Sequence, residues 1–275
     1  FWSQEFIETD TPSLVFSPGM EPYICPVAVE NRTFLQTSPE FAMKKILSQG
    51  FSKIFQICKC YRLEPKSSTH QPEFTMLEWY RTNSNYEAIM DDTEKLFAHI
   101  AKALNFNSYN IQKKWPRFTI EEAFRKFAGV ELTEFLPAKT KEFAELCVKK
   151  GLVSKTDSLL WDDCFFLVMM NLVEPELARL DTPAIVHLYP ESQAALSNLI
   201  KDSRGYQWAK RFEVYAGGLE LANAFDELTD AKIQRMRFEK DMKLRAQLGL
   251  PASPIDEDFL KALQTLPPSG GIALG

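Results

Sequence analysis

The sequence predicts an α+β fold in which an antiparallel β-sheet is flanked by helices. Polar and apolar side chains alternate over residues 55–64 and again over 73–81, a pattern typical of two half-buried strands joined by a polar loop. Strand-like segments recur on either side of Gly217-Gly218, a pair that favours a two-residue hairpin turn. Between these hairpins, apolar residues recur with helical spacing from 85 to 104.

Length and composition indicate a globular protein. The 275 residues are 45% hydrophobic and 25% charged, which suits one large core or two fused lobes, and we expect a single domain over 1–275. A membrane-spanning helix needs roughly 20 apolar residues, and the run near Cys164–Met170 is too short. Both ends are expected to be clipped, because the chain starts at Phe1 and stops within an apparently buried element at 270–275.

The net charge and the cysteines indicate which kind of partner the protein binds and which compartment it occupies. The net charge is −5 and no lysine-arginine block is present, which argues against extensive binding to a nucleic-acid backbone. Five scattered cysteines without a disulfide-like framework favour a reducing compartment, and we expect the cytoplasm. Cys58 and Cys60 form the one close pair, and no second pair stands at the spacing of a structural zinc site.

Helix start signals and strand patterns place further elements. Ser38-Pro39-Glu40 predicts a helix that runs to about Gly50, with serine as the N-cap. Residues 119–174 are expected to be mostly helical, with a strand at about 184–189. Thr229 is expected to cap a charged helix that ends near Gly249.

The first hairpin gathers chemically useful side chains on one face. A strand repeats every two residues, so two same-face sets result: Gln56, Cys58, Cys60, Arg62 and Glu64 on the outgoing strand, and Phe74, Met76, Glu78 and Tyr80 on the returning one. A solvent-exposed sheet face is one interpretation of this pattern. The other is a pocket, because aromatic rings beside two acids and an arginine are suited to a nucleotide and a zwitterion.

Two glutamates flank the second hairpin turn. If residue 216 pairs with 219, Tyr215 lies opposite Glu220 on the face of Glu213, and the two glutamates are diagonal neighbours about 7–8 Å apart at the backbone. Such carboxylates can bind Mg²⁺, a hard cation that takes oxygen ligands. The alternative is a pair of surface glutamates. Strict alternation puts Asn223 and Glu227 on the opposite face, so a common site requires a bulge or bend near 221–224.

Four segments carry a family resemblance, and all of them occur in the family's order. Thr11-Pro12 with Glu21-Pro22-Tyr23-Ile24 resembles the first motif of class II aminoacyl-tRNA synthetases, and 60–64 with 70–80 resembles the second. The block 218–230 is similar to the segment that precedes the third motif in lysine enzymes, and 271–275 to the start of that motif. The chain resembles most closely the elongation factor P lysine ligase family, paralogues of lysyl-tRNA synthetase, through Leu77-Glu78-Trp79-Tyr80-Arg81 and Glu220-Leu221-Ala222-Asn223.

The resemblance implies a class II synthetase-like catalytic domain that uses ATP and Mg²⁺. It implies that Arg62 contacts the α-phosphate and the substrate carboxylate, and that Phe74 stacks on the adenine, with Glu64 and His70 in the ATP loop. It also implies that Glu213 and Glu220 hold Mg²⁺. The implied substrate residues are Ser38, Glu40, Glu78, Tyr80, Asn223, Glu227 and Ala273.

The implied reaction is attack of the carboxylate of (R)-β-lysine, or of lysine, on the α-phosphate of ATP. The aminoacyl-adenylate would then be transferred to a lysine of elongation factor P. The first motif implies a homodimer, and an anticodon-binding module is not seen, so tRNA is an unlikely partner. Two alternatives stay open: a lysyl-tRNA synthetase catalytic domain or tRNA-independent paralogue, and a non-catalytic lobe that binds lysine or a partner protein.

Departures from the family pattern also bear on activity. Ser68 and Thr69 occupy positions where family members often have a loop arginine, and Ala224 replaces a common glycine. The third-motif arginine would lie beyond Gly275. Lysyl-tRNA synthetases have glycine at the position of Ala273, and the additional methyl is expected to disfavour α-lysine relative to β-lysine.

Overall fold

The computed structural model describes residues 1–63, 69–107, 109–136, 139–251 and 253–275. The chain divides into two compact units. The first unit comprises Phe1–Tyr86 and Phe225–Gly275, and the second comprises Glu87–Ala224. The single domain expected over 1–275 stays a prediction.

The strands, in chain order, are as follows. They are β1 (Ile7–Glu8), β2 (Leu14–Val15), β3 (Ala28–Val29), β4 (Thr33–Leu35), β5 (Lys53–Tyr61), β6 (Glu73–Thr82), β7 (Arg117–Thr119), β8 (Ala184–Pro190), β9 (Leu199–Lys201), β10 (Gln207–Ala216), β11 (Leu219–Asp226) and β12 (Ser269–Leu274).

The α-helices include long elements and single turns. They are α1 (Glu40–Leu47), α2 (Tyr86–Ala103), α3 (Ile120–Ala123), α4 (Thr140–Lys149), α5 (Trp161–Val168), α6 (Glu174–Leu177), α7 (Ala231–Gln247) and α8 (Glu257–Leu263). Two π-helical turns, Phe124–Ala128 and Met169–Val173, follow α3 and α5 directly. The predicted helices at 38–50, 85–104 and 119–174 are therefore confirmed as helical regions.

The first unit is built on a long antiparallel hairpin. β5 and β6 pair from Lys53 opposite Arg81 to Tyr61 opposite Glu73, as the alternating pattern predicts. β12 adds to the other edge of β6 in antiparallel orientation, and β1 pairs with β5 in parallel. A small separate sheet has the order β2-β4-β3.

Three helices of the first unit share an aromatic core. Phe41 of α1 stacks on Phe259 of α8, with ring centroids 4.2 Å apart, and Phe238 of α7 lies 5.7 Å from Phe41. All three rings are buried. Burying such rings contributes a large share of the hydrophobic stabilisation of a small core, so α1, which carries candidate site residues, is held firmly.

The second unit combines a mostly antiparallel sheet with a helical layer. β10 pairs with β8 and β9 in antiparallel orientation, whereas β7 pairs with β8 in parallel. Its core is rich in aromatic side chains from the helices, including Phe124, Phe143, Trp161 and Phe165. The sheets of both units are thus mostly antiparallel and accompanied by helices, which confirms the α+β prediction.

The second predicted hairpin is also confirmed. β10 and β11 are separated by Gly217 and Gly218, whose φ angles are 59° and 83°. Both angles lie in the left-handed region that L-residues with a Cβ rarely adopt. Positive φ at both positions is the signature of a type I′ turn, and this explains the glycine pair.

Two predicted helix caps are wrong by one residue. α1 begins at Glu40 with Pro39 as its N-cap, and the Ser38 hydroxyl accepts from the Glu40 N–H at 3.0 Å without being the cap itself. Asp230, and not Thr229, caps α7 by accepting from two backbone N–H groups. Threonine and aspartate are both good N-caps, so two adjacent candidates cannot be ranked by residue type alone.

No helix in the described part of the chain combines the length and the apolar character that a bilayer crossing requires. All five cysteines carry free thiols, and Cys60, Cys147 and Cys164 are buried.

Candidate active site

Strand β6 positions the central residues of the candidate site in the first unit. Glu78 and Tyr80 are two residues apart, so they project from the same face of the strand. Glu78 is paired in register with Gln56 on β5 and with Ala273 on β12, and Tyr80 is paired with Gly271. Antiparallel partners share a face, so the methyl of Ala273 lies on the face that carries Glu78.

Both oxygens of the Glu78 carboxylate accept hydrogen bonds. The Ser38 hydroxyl donates to Oε1 at 2.6 Å, and the Tyr80 hydroxyl donates to Oε2 at 2.6 Å. The Glu78 side chain is completely buried, and Tyr80 is 2% exposed. The structure therefore brings together three of the predicted substrate residues around one fixed carboxylate.

Burial dominates the acidity of this carboxylate. It raises the pKa of Glu78 to about 8, and the charge of Glu40 raises it further, while the hydroxyls of Ser38 and Tyr80 act in the opposite direction. An opposite charge near a carboxylate favours its ionised form. A cation placed beside Glu78 would therefore release a proton from it.

A buried lysine joins two other predicted substrate residues. The ammonium of Lys44 lies 2.5 Å from Glu40 Oε1 and 2.5 Å from Glu227 Oε2. The side chains of Lys44 and Glu227 are each 1% exposed, and that of Glu40 is 12% exposed. We call Ser38, Glu40, Lys44, Glu78, Tyr80 and Glu227 the acid cluster.

The charges of Lys44, Glu40 and Glu227 stabilise each other. Burial alone would lower the pKa of Lys44, but the carboxylates of Glu227 and Glu40 outweigh it and raise the pKa above the ordinary lysine value. Burial raises the pKa of Glu227, and Lys44 acts to lower it. We conclude that the proton stays on Lys44, which leaves a buried ammonium between two carboxylates.

The sequence did not identify Lys44 as a site residue, although one signal was present. Glu40 and Lys44 are four residues apart on a helix, a spacing at which opposite charges meet on the surface. Lysine is among the residues least often buried, so this spacing by itself predicts an exposed ion pair. The third partner, Glu227, follows β11 and could not be inferred from the helix.

The segment that resembles the first motif lies in electrostatic reach of the same groups. Burial raises the pKa of Glu21, the charge of Glu40 raises it further, and Arg62 and Lys44 act to lower it. The guanidinium of the buried Arg245 donates to the carbonyls of Glu21 at 2.9 Å and of Ile24 at 2.8 Å. Hydrogen bonds from the Arg245 side chain of α7 to these carbonyls therefore hold this segment in place.

Arg62 and Phe74 are in contact. The Arg62 guanidinium lies over the Phe74 ring, 5.3 Å from its centroid, and its Nε donates to the carbonyl of Thr37 at 3.2 Å. Both side chains are half-buried, so part of each is accessible. The structure confirms the predicted proximity of the arginine and the aromatic ring on this face of the hairpin.

The remaining predicted ATP residues fall between β5 and β6 in the sequence. Glu64 falls outside the described residues, as does Ser68. His70 is exposed, and its Nδ1 is 3.0 Å from the Thr69 hydroxyl.

In the second unit, Glu213 is buried and held by several donors. Its Oε2 accepts from the hydroxyls of Tyr189 at 2.6 Å and Tyr215 at 2.5 Å, and its Oε1 is paired with Arg211. Burial and the charge of Glu213 raise the pKa of the half-buried Glu174. The predicted placement of Tyr215 and Glu213 on one face is therefore confirmed, whereas Tyr189 and Arg211 were not anticipated as partners.

Glu220 and Asn223 lie near the same arginine. Glu220 is exposed, and its charge raises the pKa of both Arg211 and Tyr215. Arg211 Nε donates to Asn223 Oδ1 at 3.0 Å. The register of β10 against β8 shifts between Ala209 and Phe212, next to Arg211, so this contact does not test the bulge predicted near 221–224.

The donor chemistry of Glu213 and Glu220 fits Mg²⁺. Both offer carboxylate oxygens, the ligands that this ion prefers, and the Glu220 carboxylate is exposed. Glu213 is already paired with Arg211. A bound cation would therefore compete with the guanidinium for one of the Glu213 oxygens.

Comparison with known proteins identifies the family. A model of the class II tRNA synthetases for aspartate, lysine and asparagine matches residues 1–275. The chain is 36% identical to an elongation factor P–(R)-β-lysine ligase from Hamiltonella defensa subsp. Acyrthosiphon pisum, over 100% of this chain and 83% of the relative. It is 34% identical to the ligase of that name from Proteus mirabilis, with the same coverage. It is 38% identical to that of Avibacterium paragallinarum, over 98% of this chain and 79% of the relative.

Proposed function

We propose that this chain, which belongs to the class II tRNA synthetase family and within it to the elongation factor P–(R)-β-lysine ligases, activates (R)-β-lysine with ATP and transfers it to elongation factor P. The acid cluster is the observation that carries the proposal. It places three buried or half-buried carboxylates within one small region of the first unit. A desolvated ammonium needs anionic partners, and a lysine-type substrate carries two ammonium groups.

The residues of the acid cluster other than Lys44 are given proposed roles in binding the substrate. Glu78, held by Ser38 and Tyr80, accepts the side-chain ammonium of the substrate, with Glu227 as a further acid. Glu40 accepts the amino group nearer the reacting carboxylate. The resemblance is the basis for proposing Asn223 as a ligand of that carboxylate. The methyl of Ala273 limits the space beside Glu78.

ATP is proposed to bind through the loop of the first hairpin. Phe74 stacks on the adenine, and His70 and Glu64 belong to the ATP loop. Arg62 covers one face of the Phe74 ring, so the adenine either takes the other face or displaces the guanidinium. A displaced Arg62 is free to reach the α-phosphate, which links nucleotide binding to the positioning of the arginine.

In the first step, a carboxylate oxygen of the substrate attacks the α-phosphorus. The bond from phosphorus to the bridging oxygen breaks, and pyrophosphate leaves with the electron pair. Arg62 neutralises charge on the α-phosphate oxygens, and the acid cluster orients the attacking carboxylate by fixing the ammonium groups. Mg²⁺, held by Glu213 and Glu220, would supply further positive charge to the phosphates.

In the second step, the ε-amine of a lysine of elongation factor P attacks the carbonyl carbon of the adenylate. An amide bond forms, and AMP leaves. The net charge of −5 and the lack of a basic block favour a protein acceptor over a tRNA.

Activation is tested by exchange of pyrophosphate into ATP. The purified full-length protein should catalyse exchange when given lysine or (R)-β-lysine with Mg²⁺. Glu220→Gln should reduce the rate at least about tenfold, since a metal ion at the phosphates is worth several kcal/mol. Glu176→Gln, which changes an exposed glutamate paired with Arg179 in the same unit, is the control and should be unaffected. Binding of lysine without any exchange would instead support a non-catalytic lobe.

The acceptor and the amino-acid preference are tested together. Elongation factor P and tRNA-Lys are compared as acceptors with both amino acids, in the wild type and in Ala273→Gly. We expect modification of elongation factor P and a preference for (R)-β-lysine. The variant should weaken that preference by no more than about 1–3 kcal/mol, the usual range for one methyl group. Efficient charging of tRNA without modification of elongation factor P would overturn the proposal.

A homodimer is proposed from the segment that resembles the first motif. Large apolar side chains in the first thirty residues are unusually exposed, among them Phe16 at 75%, Trp2 at 73% and Tyr23 at 55%. Exposed apolar patches commonly mark protein interfaces. Light scattering at micromolar concentration should give twice the chain mass, and Phe16→Asp should shift the mass toward the monomer. A monomeric wild type would contradict this assembly.

A reducing, cytoplasmic setting is proposed from the five free thiols. Disulfides are rare where glutathione and thioredoxin keep thiols reduced.

A further inference from the structure

Lys44 is a buried cation that none of the proposed steps uses. Its ammonium is 1% exposed and contacts Glu40 and Glu227 at 2.5 Å each, and it lies 6.0 Å from the centroid of the Phe259 ring. Burying an ammonium is costly unless paired charges and good geometry compensate for it. A fold that only needed a helix here could place a leucine at this position, so the retained charge calls for a reason.

The two carboxylates that contact Lys44 differ in access. Glu227 is 1% exposed and its bond to Lys44 is buried, whereas the Glu40 side chain is 12% exposed. A substrate ammonium can therefore approach Glu40, whereas the buried Oε2 of Glu227 is already bound to Lys44. Lys44 is therefore already the cation that pairs with Glu227.

Resting on the function proposed above, we propose that Lys44 is a positioning residue of the substrate site. It withdraws Glu227 from the substrate, orients Glu40, and leaves Glu40 and Glu78 as the two acids that accept the ammonium groups of a lysine-type amino acid. In this arrangement Glu227 acts through Lys44, and this role replaces the direct contact with the substrate ammonium given to Glu227 above.

The charge balance of the acid cluster supports this assignment. With every group ionised, the three carboxylates Glu40, Glu78 and Glu227 face one cation, Lys44, so two negative charges remain. These match the two ammonium groups of the substrate. Loss of Lys44 would leave three negative charges close together, and like charges within this distance oppose each other. Glu227 would then compete for an ammonium that belongs at Glu40 or Glu78.

The test uses pyrophosphate exchange with lysine and with (R)-β-lysine in four variants. Lys44→Met should raise KM at least about tenfold, since truncating one partner of a buried charge pair typically costs this much or more, with a smaller change in kcat. Lys45→Met is the matched control, because the neighbouring Lys45 forms a more exposed pair with Asp256, and its kinetics should equal those of the wild type. Glu227→Gln should also raise KM, because Lys44 would then be paired with Glu40 alone and would compete with the substrate ammonium for that carboxylate.

The double variant Lys44→Met with Glu227→Gln decides between the two roles of Glu227. It restores the balance of two negative charges, so we expect its KM to return toward the wild-type value from that of either single variant. If Lys44→Met does not fold, the comparison of Glu227→Gln with the double variant still gives the answer.

Three results would overturn the inference. Kinetics of Lys44→Met equal to those of Lys45→Met would remove the role of the charge. A double variant whose KM is no lower than that of Glu227→Gln alone would contradict the charge balance, as direct binding of the substrate by Glu227 predicts. A wild type without exchange would overturn the proposed function and this inference together, whereas the first two results leave the proposed function intact.

Discussion

Replacement of Glu78 by glutamine is expected to raise the KM for lysine or (R)-β-lysine by about 100-fold or more. Glutamine keeps the size of the side chain. Its amide oxygen can accept from one of the Ser38 and Tyr80 hydroxyls and its amide N–H can donate to the other, so the change removes chiefly the negative charge. Loss of one partner of a buried, hydrogen-bonded charge pair costs about 2–5 kcal/mol. Exchange kinetics at saturating ATP measure this effect. Glu73→Gln on the same strand, whose side chain is 57% exposed, is the matched control.

The pH dependence of the wild type should report the same group. Glu78 must be ionised to accept an ammonium, and its pKa in the free protein is raised to about 8, first by burial and then by Glu40 and Cys58. We therefore expect kcat/KM for the amino acid to rise with pH, with its midpoint near pH 8, and to level off above that pH. The rise should be absent in Glu78→Gln. A wild-type profile that is flat between pH 6 and about 8 would show that Glu78 is ionised before the substrate arrives.

Glu78→Gln, which is expected to impair the reaction, should at the same time increase the stability of the protein at pH 8. The pKa of Glu78 is higher in the folded protein, about 8, than the ordinary glutamate value of 4.5. As pH rises from 4.5, the unfolded chain loses the proton first, so the wild type loses stability until the folded pKa is reached. Glu78→Gln lacks this titration and should be the more stable protein at pH 8, as measured by denaturant unfolding. Equal stability at pH 5 is the internal control.

The geometry of the first hairpin could be predicted because it depends on a local rule. Alternation over 55–64 and 73–81 fixes which side chains share a face, and the register places Glu78 opposite Gln56 as this requires. Side chains two residues apart on one strand, such as Glu78 and Tyr80, or Glu213 and Tyr215, are in contact. The two-residue repeat of a strand was sufficient to predict that these pairs share a face.

The contacts that were missed join segments far apart in the chain. Lys44 is buried because Glu227 and Phe259 close over α1, and periodicity within 38–50 carries no information about either. Tyr189 donates to Glu213 from the neighbouring strand β8, and its partner depends on a pairing that the sequence did not specify. Arg211 was overlooked because an arginine two residues before a glutamate on a strand is usually an exposed pair.

Gly271 was noted only as part of a motif, yet its missing side chain shapes the acid cluster. A Cβ at this position would lie 2.2 Å from Cδ1 and 2.2 Å from Cε1 of Tyr80, and 2.4 Å from Glu227 Oε1. Tyr80 and Glu227 are both buried, so neither can rotate into solvent. The ring of Tyr80 therefore rests directly on the backbone of β12.

Gly271→Ala is expected to displace Tyr80 and to reduce kcat/KM for the amino acid by about 100-fold, because a shift of about 1 Å in a positioning group can cost this much. The added methyl should also lower the free energy of unfolding by about 1–3 kcal/mol, the usual effect of overpacking a core. Gly275→Ala is the stability control, since a Cβ there meets only Phe74 Cε2, at 4.0 Å. Adding Tyr80→Leu to Gly271→Ala should recover part of the stability, because it removes the clashing ring but not the close contact with Glu227 Oε1. It should not recover activity, because the hydroxyl that holds Glu78 is then lost.

Unfolding and kinetics of Gly271→Ala that equal those of the wild type would contradict this prediction. They would mean that Tyr80 has space to move and that its contact with Gly271 does not determine the position of the Glu78 carboxylate.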